Sequence, residues 1–423
     1  VITARRAAYD ALTAVTKDGA YTSLALKGHI PAELSPGDKA FASLLVRTTL
    51  ENLLLIDHIL EQFIRSGRVH GSVKNILRLG ACQIILLDTE GYAAVSECVD
   101  LAKQIKPQTS GFVNGVLRSL IRGKDNIEYP SGESAGSLSI LTSYPLWICE
   151  KYINDFGYDF TNSLLSFKNR KGTCVRINTL RADPKAFLKE AGRLGLDYSP
   201  GNIENSYNIK GLSGIEDLDI YKNGSIAVQS ESSMKAVLKT KINKGMKLLD
   251  CCAAPGGKSA YAAALAKNTI DIIAWDVHKH RIDMTKKNYE RLGVENYNCS
   301  VHDARVFEPN MERAFDVVIV DAPCSAMGLM SKSPDIRYSR KPKDIDALTK
   351  TQHDIISVCS EYVRPEGTLA YCTCSINKEE NEQITEQFLA ENNEFKYAYE
   401  PETLYPHLCG SDGFYTAVMK RKV

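Results

Sequence analysis

The sequence predicts an α/β protein: a largely parallel sheet covered by helices on both faces, preceded by a small α+β unit and an all-α region. Three observations predict it. Past residue 241, short continuous apolar runs alternate with amphipathic stretches, from MKLLDCC and KSAYAAALAK to FDVVIVDAP and GTLAYCTCS. Strands that are apolar throughout belong to sheets buried on both sides. Over 1–125, apolar residues recur instead at spacings of three and four. Between these regions the two patterns mix.

In the first region ARRAAYDALTAV, DKAFASLLVRTTLENLLLIDHILEQFI, VKNILRLGACQIILL, AAVSECVDLAKQI and GFVNGVLRSLIR read as helices. Pro31, Pro36-Gly37, Gly67, Gly71, Gly91, Pro107 and Gly111 mark the breaks. Residues 126–143, NIEYPSGESAGSLSILTS, are rich in Ser and Gly and predict a linker. Over 144–240, TCVRINTL (173–180) predicts a strand, and Asp183-Pro184 opens a helix. SIAVQ (225–229) adds a further strand. Residues 241–423 then carry the parallel sheet.

The 423 residues, 44% hydrophobic and 24% charged, suit two or three globular domains. A net charge of +1, from 52 Lys and Arg against 51 Asp and Glu, excludes a bulk polyanion binder. Any nucleic-acid surface must be a local patch. No apolar run reaches the length of a spanning helix, and the first residues lack a signal-peptide cleavage pattern. The 12 cysteines show neither framework nor C-x-x-C spacing, so free thiols in the cytoplasm are expected and no zinc site. Nothing demands a dimer, and a monomer without membrane attachment is expected.

In parallel sheets ligands bind beyond the carboxyl ends of the strands. The first such end is DCCAAPGGK, Asp250 to Lys258. Small residues and paired glycines let backbone approach a ligand, and a helix N-terminus follows. Asp276 ends the next strand, some 20 residues past the glycines, where a carboxylate commonly accepts from ribose hydroxyls. Asp303 ends the third and could accept from an adenine amino group; for each Asp a helix cap is an equal alternative. DAPCS (321–325) and YCTCS (371–375) end the last two. The dinucleotide fingerprint is missing, so S-adenosyl-L-methionine is the natural cofactor.

Cys324 and Cys374 thus share one rim. A thiol pair can be a redox couple, a metal site or packing. It also suits methylation at carbon 5 of a pyrimidine. A thiolate adding at carbon 6 makes carbon 5 nucleophilic. Asp321 could hold N3 and the exocyclic amine of a cytosine, and a second thiol could assist release.

These strings resemble the RNA 5-methylcytosine methyltransferases: Asp250 to Lys258 is similar to their cofactor loop, Asp321–Ser325 and Thr373–Ser375 to their two cysteine motifs. Arg176–Leu180, Ala227–Ser233 and Gly413–Tyr415 also look like family segments, and LRLGACQIILL with GFVNGVLRSLIR resembles a NusB-like RNA-binding domain. The combination is similar to the 16S ribosomal RNA cytosine-5 methyltransferase B group, whose usual target is cytosine 967. The resemblance implies a Rossmann-like methyltransferase sheet. It makes Cys374 the nucleophile, Cys324 the release thiol and Cys372 a packing residue. It also implies that Cys252, Ala253, Ala254, Pro255, Gly256, Gly257 and Lys258, with Asp276, Asp303 and Asp321, bind S-adenosyl-L-methionine. Asp321 and Lys258 act near the cytosine. Arg176 and Asn178 contact RNA, with phosphate contacts from Arg5, Arg6 and Lys74. The implied partner is 16S ribosomal RNA or a small-subunit assembly intermediate. The same chemistry on tRNA or 23S ribosomal RNA, or an inactive NusB-like RNA-binding factor, are the alternatives.

Overall fold

The structure, a computed structural model, describes residues 2–65, 69–168, 172–210 and 214–423; the break expected at Gly67 lies outside them. The chain divides into two compact units. One comprises residues 1–167 with 330–340, the other 168–329 with 341–423.

The first unit is helical. Helices Ala4–Asp18, Thr22–His29, Pro36–Glu51, Leu53–Glu61, Gly71–Ile85, Gly91–Ile105 and Ser110–Gly123 share one apolar cluster that includes Leu12, Leu45, Ile76, Leu77, Leu117 and Leu120. Local chemistry sets their ends. Thr3 and Ser35 accept the backbone N–H groups of Arg6 and Asp38 as caps, and Gly19, at φ 71°, turns the chain off the first helix.

Residues 126–143 correct the linker expectation, because they contain the helix Ala135–Thr142. Ser134 caps it, accepting from the Ser137 N–H at 3.0 Å, and Leu138 and Ser139 are buried. The serines that suggested a flexible joint are a cap and a helix face. Helices Leu146–Phe156 and Tyr158–Ser166 follow, so this unit runs to residue 167 rather than ending at 125.

It is completed by Met330–Arg340. Arg337, 4% exposed, stacks on the Tyr144 ring at 3.9 Å and donates to the carbonyls of Met330, Glu51 and Thr142 at 3.1–3.3 Å. The Tyr338 hydroxyl lies 2.9 and 2.8 Å from the carbonyls of Leu50 and Ser143, and Thr22 donates to Asp335 at 2.6 Å.

The second unit holds two sheets. Thr173–Ile177 (β1), Tyr198–Pro200 (β2), Ser206–Ile209 (β3) and Ile226–Val228 (β4) pair antiparallel in the order β2-β3-β1-β4. The larger sheet contains Lys247–Asp250 (β5), Asp271–Asp276 (β6), Tyr297–Val301 (β7), Phe315–Asp321 (β8), Val363–Thr373 (β9), Phe395–Tyr397 (β10), Glu402–Leu404 (β11) and Phe414–Arg421 (β12). Its order is β10-β12-β9-β8-β5-β6-β7, with β11 on β12. Strands β5 to β9 run parallel, whereas β12 is antiparallel to β9.

Alternate residues of the central strands enter two cores. Leu248, Val317, Ile319 and Ala370 pack on one face, Leu249, Val318, Val320 and Tyr371 on the other. Burying each large side chain contributes roughly 1.5–3 kcal/mol. This two-sided burial is why the strands read as continuous apolar runs.

Candidate active site

Parallel register aligns the strand ends. Asp250 pairs with Ile319 and Ala274, Asp276 with Val301, and Asp321 with Cys372. The loops after β5, β6, β7, β8 and β9 therefore leave from one edge. Cys324 lies just past β8 and Cys374 just past β9, so 50 residues of sequence separate neighbours. Their sulfurs are 3.1 Å apart.

The two thiol loops are joined by backbone bonds. Ala322 N–H donates to Cys372 O at 3.0 Å, and Gly328 N–H to Cys374 O at 2.9 Å. A Cβ on Gly328 would fall 2.3 Å from Gly413 O and 2.8 Å from Cys374 O, so this approach requires glycine. The Cys324 thiol stands well above the usual range because of its hydrogen bond with Cys374 and because of burial. The two sulfurs share a contact in which either can donate. Cys372 is wholly buried beside Ala236 and Phe414, and burial pushes its thiol up to about 12. It packs beneath Cys374.

Beneath the loops lies Glu380, 0% exposed. Its Oε1 accepts from the Ser325 N–H at 2.7 Å and Gln352 Nε2 at 3.1 Å. Its Oε2 accepts from Ser325 Oγ and Ser375 Oγ, each at 2.5 Å, and from Asn377 Nδ2 at 2.7 Å. The next residue, Asn381, accepts from Thr373 Oγ1 at 2.6 Å and donates to Ser375 O at 3.1 Å.

Lys258 Nζ is 2.5 Å from Asp321 Oδ2 and 5.3 Å from the centre of the Phe414 ring. Burial is the largest single influence and opposes its charge, but Asp321, Cys372 and Asp250 together outweigh it and hold the ammonium above the usual lysine range. Lys258, in the first turn of the helix Gly257–Leu265, thus stands against the carboxylate that ends β8.

A cavity of about 460 Å³ opens beside these groups, a volume suited to a nucleoside-bearing ligand. Of the residues expected to hold the cofactor, Cys252, Ala254, Asp276, Asp303 and Asp321 line it, together with Cys324 and Cys374. Ala253, Pro255, Gly256 and Gly257 build the turn behind it. Gly256 is required there. Its φ is +87°, and an added Cβ would meet the Tyr289 ring at 2.6 Å. Asp276 is paired with Arg281 at 3.2 Å, and its Oδ1 accepts the His278 N–H at 3.1 Å. Asp303 takes a bidentate hold from Arg305 at 3.0 and 2.7 Å, and that hydrogen bonding keeps its carboxyl low. The His302 ring lies 4.0 Å from that of Trp275, tilted by 36°. Adjacent carboxylates at two strand ends, with spare lone pairs over a cavity of this size, fit the hydroxyls and amine of an adenosine.

The RNA-contact expectation for Arg176 and Asn178 is corrected, because both are 1% exposed. Arg176 donates to Gln229 at 3.0 Å and lies over Tyr261, and burial pulls its guanidinium down to about 10. Asn178 donates to the carbonyls of Gly224 and Leu292 at 2.9 and 2.8 Å. They fasten the small sheet to its surroundings. Arg6 and Lys74 are each ion-paired, with Asp10 and Asp57, and Arg5 donates to Gln83 at 2.7 Å. Sequence reading missed Glu380, Arg281 and Arg305. The run NKEENE directly after a rim thiol was the available signal for Glu380. Among the described residues no cluster of side chains could hold a metal ion, and no helix is long and apolar enough to cross a membrane.

Residues 236–420 match the family model described as 16S rRNA methyltransferase RsmB/F, and residues 2–122 match that of the NusB family. The chain is 31% identical over 446 residues to the probable ribosomal RNA small subunit methyltransferase B of Bacillus subtilis (strain 168), covering 99% of this chain and 98% of that one. It is 28% identical over 413 residues to the ribosomal RNA small subunit methyltransferase B of Proteus mirabilis (strain HI4320), covering 94% and 95%. Among solved structures, the crystal structure of PH0851 covers 99% of this chain and 98% of its own with a TM-score of 0.82 at 24% identity, a likeness of fold. A methyltransferase homolog protein from Pyrococcus horikoshii matches with a TM-score of 0.60 at 25% identity, over 69% of this chain and 100% of its own.

Proposed function

The chain belongs to the ribosomal RNA small subunit methyltransferase B family, and on that premise we propose that it methylates carbon 5 of a cytosine in 16S ribosomal RNA through a covalent bond to Cys374. The observation that carries this reading is the thiol pair, 3.1 Å apart, on the wall of the same cavity as Asp276, Asp303 and Asp321.

S-adenosyl-L-methionine, when bound, supplies an electrophilic methyl group. Asp276 would accept from its ribose hydroxyls and Asp303 from its adenine amine, with Arg281 and Arg305 sharing those carboxylates. The turn Cys252–Gly257 would border its methionine end. The target base leaves its stack to reach the rim. Asp321, held by Lys258, orients the ring edge. The Cys374 thiolate adds at carbon 6, forming a C–S bond and placing the electron pair of the 5,6 double bond at carbon 5. Carbon 5 would then take the methyl group as the methyl's bond to the sulfonium sulfur breaks, that pair remaining on the departing thioether. Loss of the carbon-5 proton to water then restores the double bond as the C–S pair returns to Cys374. Cys324, its sulfur 3.1 Å from that of Cys374, stands where that last exchange occurs.

The test is an adduct assay. Cys324→Ala protein is incubated with S-adenosyl-L-methionine and 16S ribosomal RNA and run on a denaturing gel beside the Cys324→Ala/Cys374→Ala double variant. The expected result is a covalent complex that needs Cys374. An adduct formed with tRNA instead would keep the chemistry and change the substrate. An adduct that persists in the double variant, or none with any RNA, would overturn the assignment.

A further inference from the structure

We propose that Glu380 is a positioning residue that locks the two thiol loops together, so that release can follow attack without either loop moving. This rests on the covalent reading above. One buried carboxylate accepts five hydrogen bonds and reaches both cysteine motifs. The Ser325 amide and hydroxyl belong to the residue after Cys324, and the Ser375 hydroxyl belongs to the residue after Cys374. Gln352 Nε2 ties the same carboxylate to Pro323 O, at 2.9 Å, on the other side of Cys324. Two hydroxyls at 2.5 Å on one oxygen are in the range of charge-assisted bonds, which are stronger than neutral ones.

The hold is asymmetric. The Cys374 turn keeps a second grip through Asn381, which binds both Thr373 and Ser375. The Cys324 loop is also tied at Ala322, Pro323 and Gly328, but residue 325, next to the thiol, has its amide and hydroxyl both on Glu380, and the hydroxyl's further neighbours, Ser375 Oγ and Asn377 Nδ2, are themselves held by that carboxylate. Loosening the carboxylate therefore displaces Cys324 more than Cys374. Release should suffer more than attack, and a displacement near 1 Å costs on the order of 100-fold in rate. A Glu380→Gln change keeps the shape but sets an amide N–H₂ against groups that all donate.

Two measurements test this. The first compares adduct and product for wild type, Cys324→Ala and Glu380→Gln with S-adenosyl-L-methionine and 16S ribosomal RNA. The expected result is that Glu380→Gln accumulates adduct while product falls about 10–100-fold. A role confined to stability would lower both in proportion, and that outcome overturns the proposal. If Cys324→Ala itself traps nothing, the covalent reading fails rather than the lock.

The second needs no RNA. Diamide takes up the two protons and two electrons of a thiol pair and leaves a disulfide, which requires the sulfurs to close to about 2.05 Å. Peptide mapping follows the Cys324–Cys374 crosslink with time. It should form at least about tenfold more slowly in Glu380→Gln. An unchanged rate rejects the lock whatever the enzyme's chemistry. Ser325→Ala removes one donor hydroxyl and leaves the carboxylate. It is expected to shift both readouts the same way by a smaller factor, and it keeps the test available should Glu380→Gln not fold.

Discussion

Replacing Asp250 by Asn should stabilise the catalytic unit at pH 8 and do little near pH 4. Asp250 ends β5 at 1% exposure. Its Oδ2 accepts from Ser259 Oγ at 2.7 Å, while its Oδ1 has no hydrogen-bond partner among the described residues. Burial, reinforced by the negative charge of Asp321, pushes its carboxyl from the ordinary 3.8 up to about 6, against the smaller pull of the Ser259 bond. The folded state thus binds the proton more tightly than the unfolded chain does. Stability is full below the unfolded value, falls as pH rises between 3.8 and 6, and is lowest above. The rise corresponds to about 3 kcal/mol of destabilisation at pH 8, and to less than about 1 kcal/mol near pH 4. Asn keeps an oxygen for Ser259 and carries no charge to desolvate. The assay is hydrogen exchange of peptides spanning β5 and β6 in graded urea, at both pH values. If Asp250→Asn lowers protection at pH 8, or raises it equally at the two pH values, the buried charge is not what the site suffers from.

Two further outcomes follow from packing. Gly256→Ala forces a left-handed residue to carry a Cβ against the Tyr289 ring; conformational strain of about 1–2 kcal/mol and overpacking of about 1–3 kcal/mol should lower the melting temperature of the catalytic unit and weaken cofactor binding by calorimetry. Cys372→Ala, by contrast, should leave methyl transfer within about twofold of wild type, because Cys372 packs with Ala236 and Phe414 and does not line the cavity. Iodoacetamide at pH 8 should spare it in the folded protein, given a thiol held near 12 by burial. Loss of the covalent adduct in Cys372→Ala would reverse the roles of the two cysteines in YCTCS.

The rim was legible because parallel strands end on one edge, and an apolar run announces where each strand stops. Asp276, Asp303, Asp321, Cys324 and Cys374 follow from that rule alone, and all five line the cavity. Distance in sequence hid the rest. Arg176 alternates with apolar neighbours as a surface residue would, yet its partners Gln229 and Tyr261 come from segments 53 and 85 residues on. Glu380 sits in a run of charges that reads as a solvated helix start, yet its five donors come from three separate segments. Ser134 and Gly136 looked like joint residues because caps and linkers draw on the same amino acids.

The eleven residues Met330–Arg340 have a consequence for how this chain can be divided. They lie inside the span that matches the methyltransferase family model, yet they fold with the helices of residues 1–167. A cut at 167/168 would strip Arg337 of Glu51, Thr142 and Tyr144 and leave its guanidinium with the Met330 carbonyl alone of the three it holds. Recombination that exchanged the helical region for another would meet the same obstacle. Two parts that look separable along the sequence are thus inherited as one, stitched by a single excursion of chain that begins six residues after Cys324.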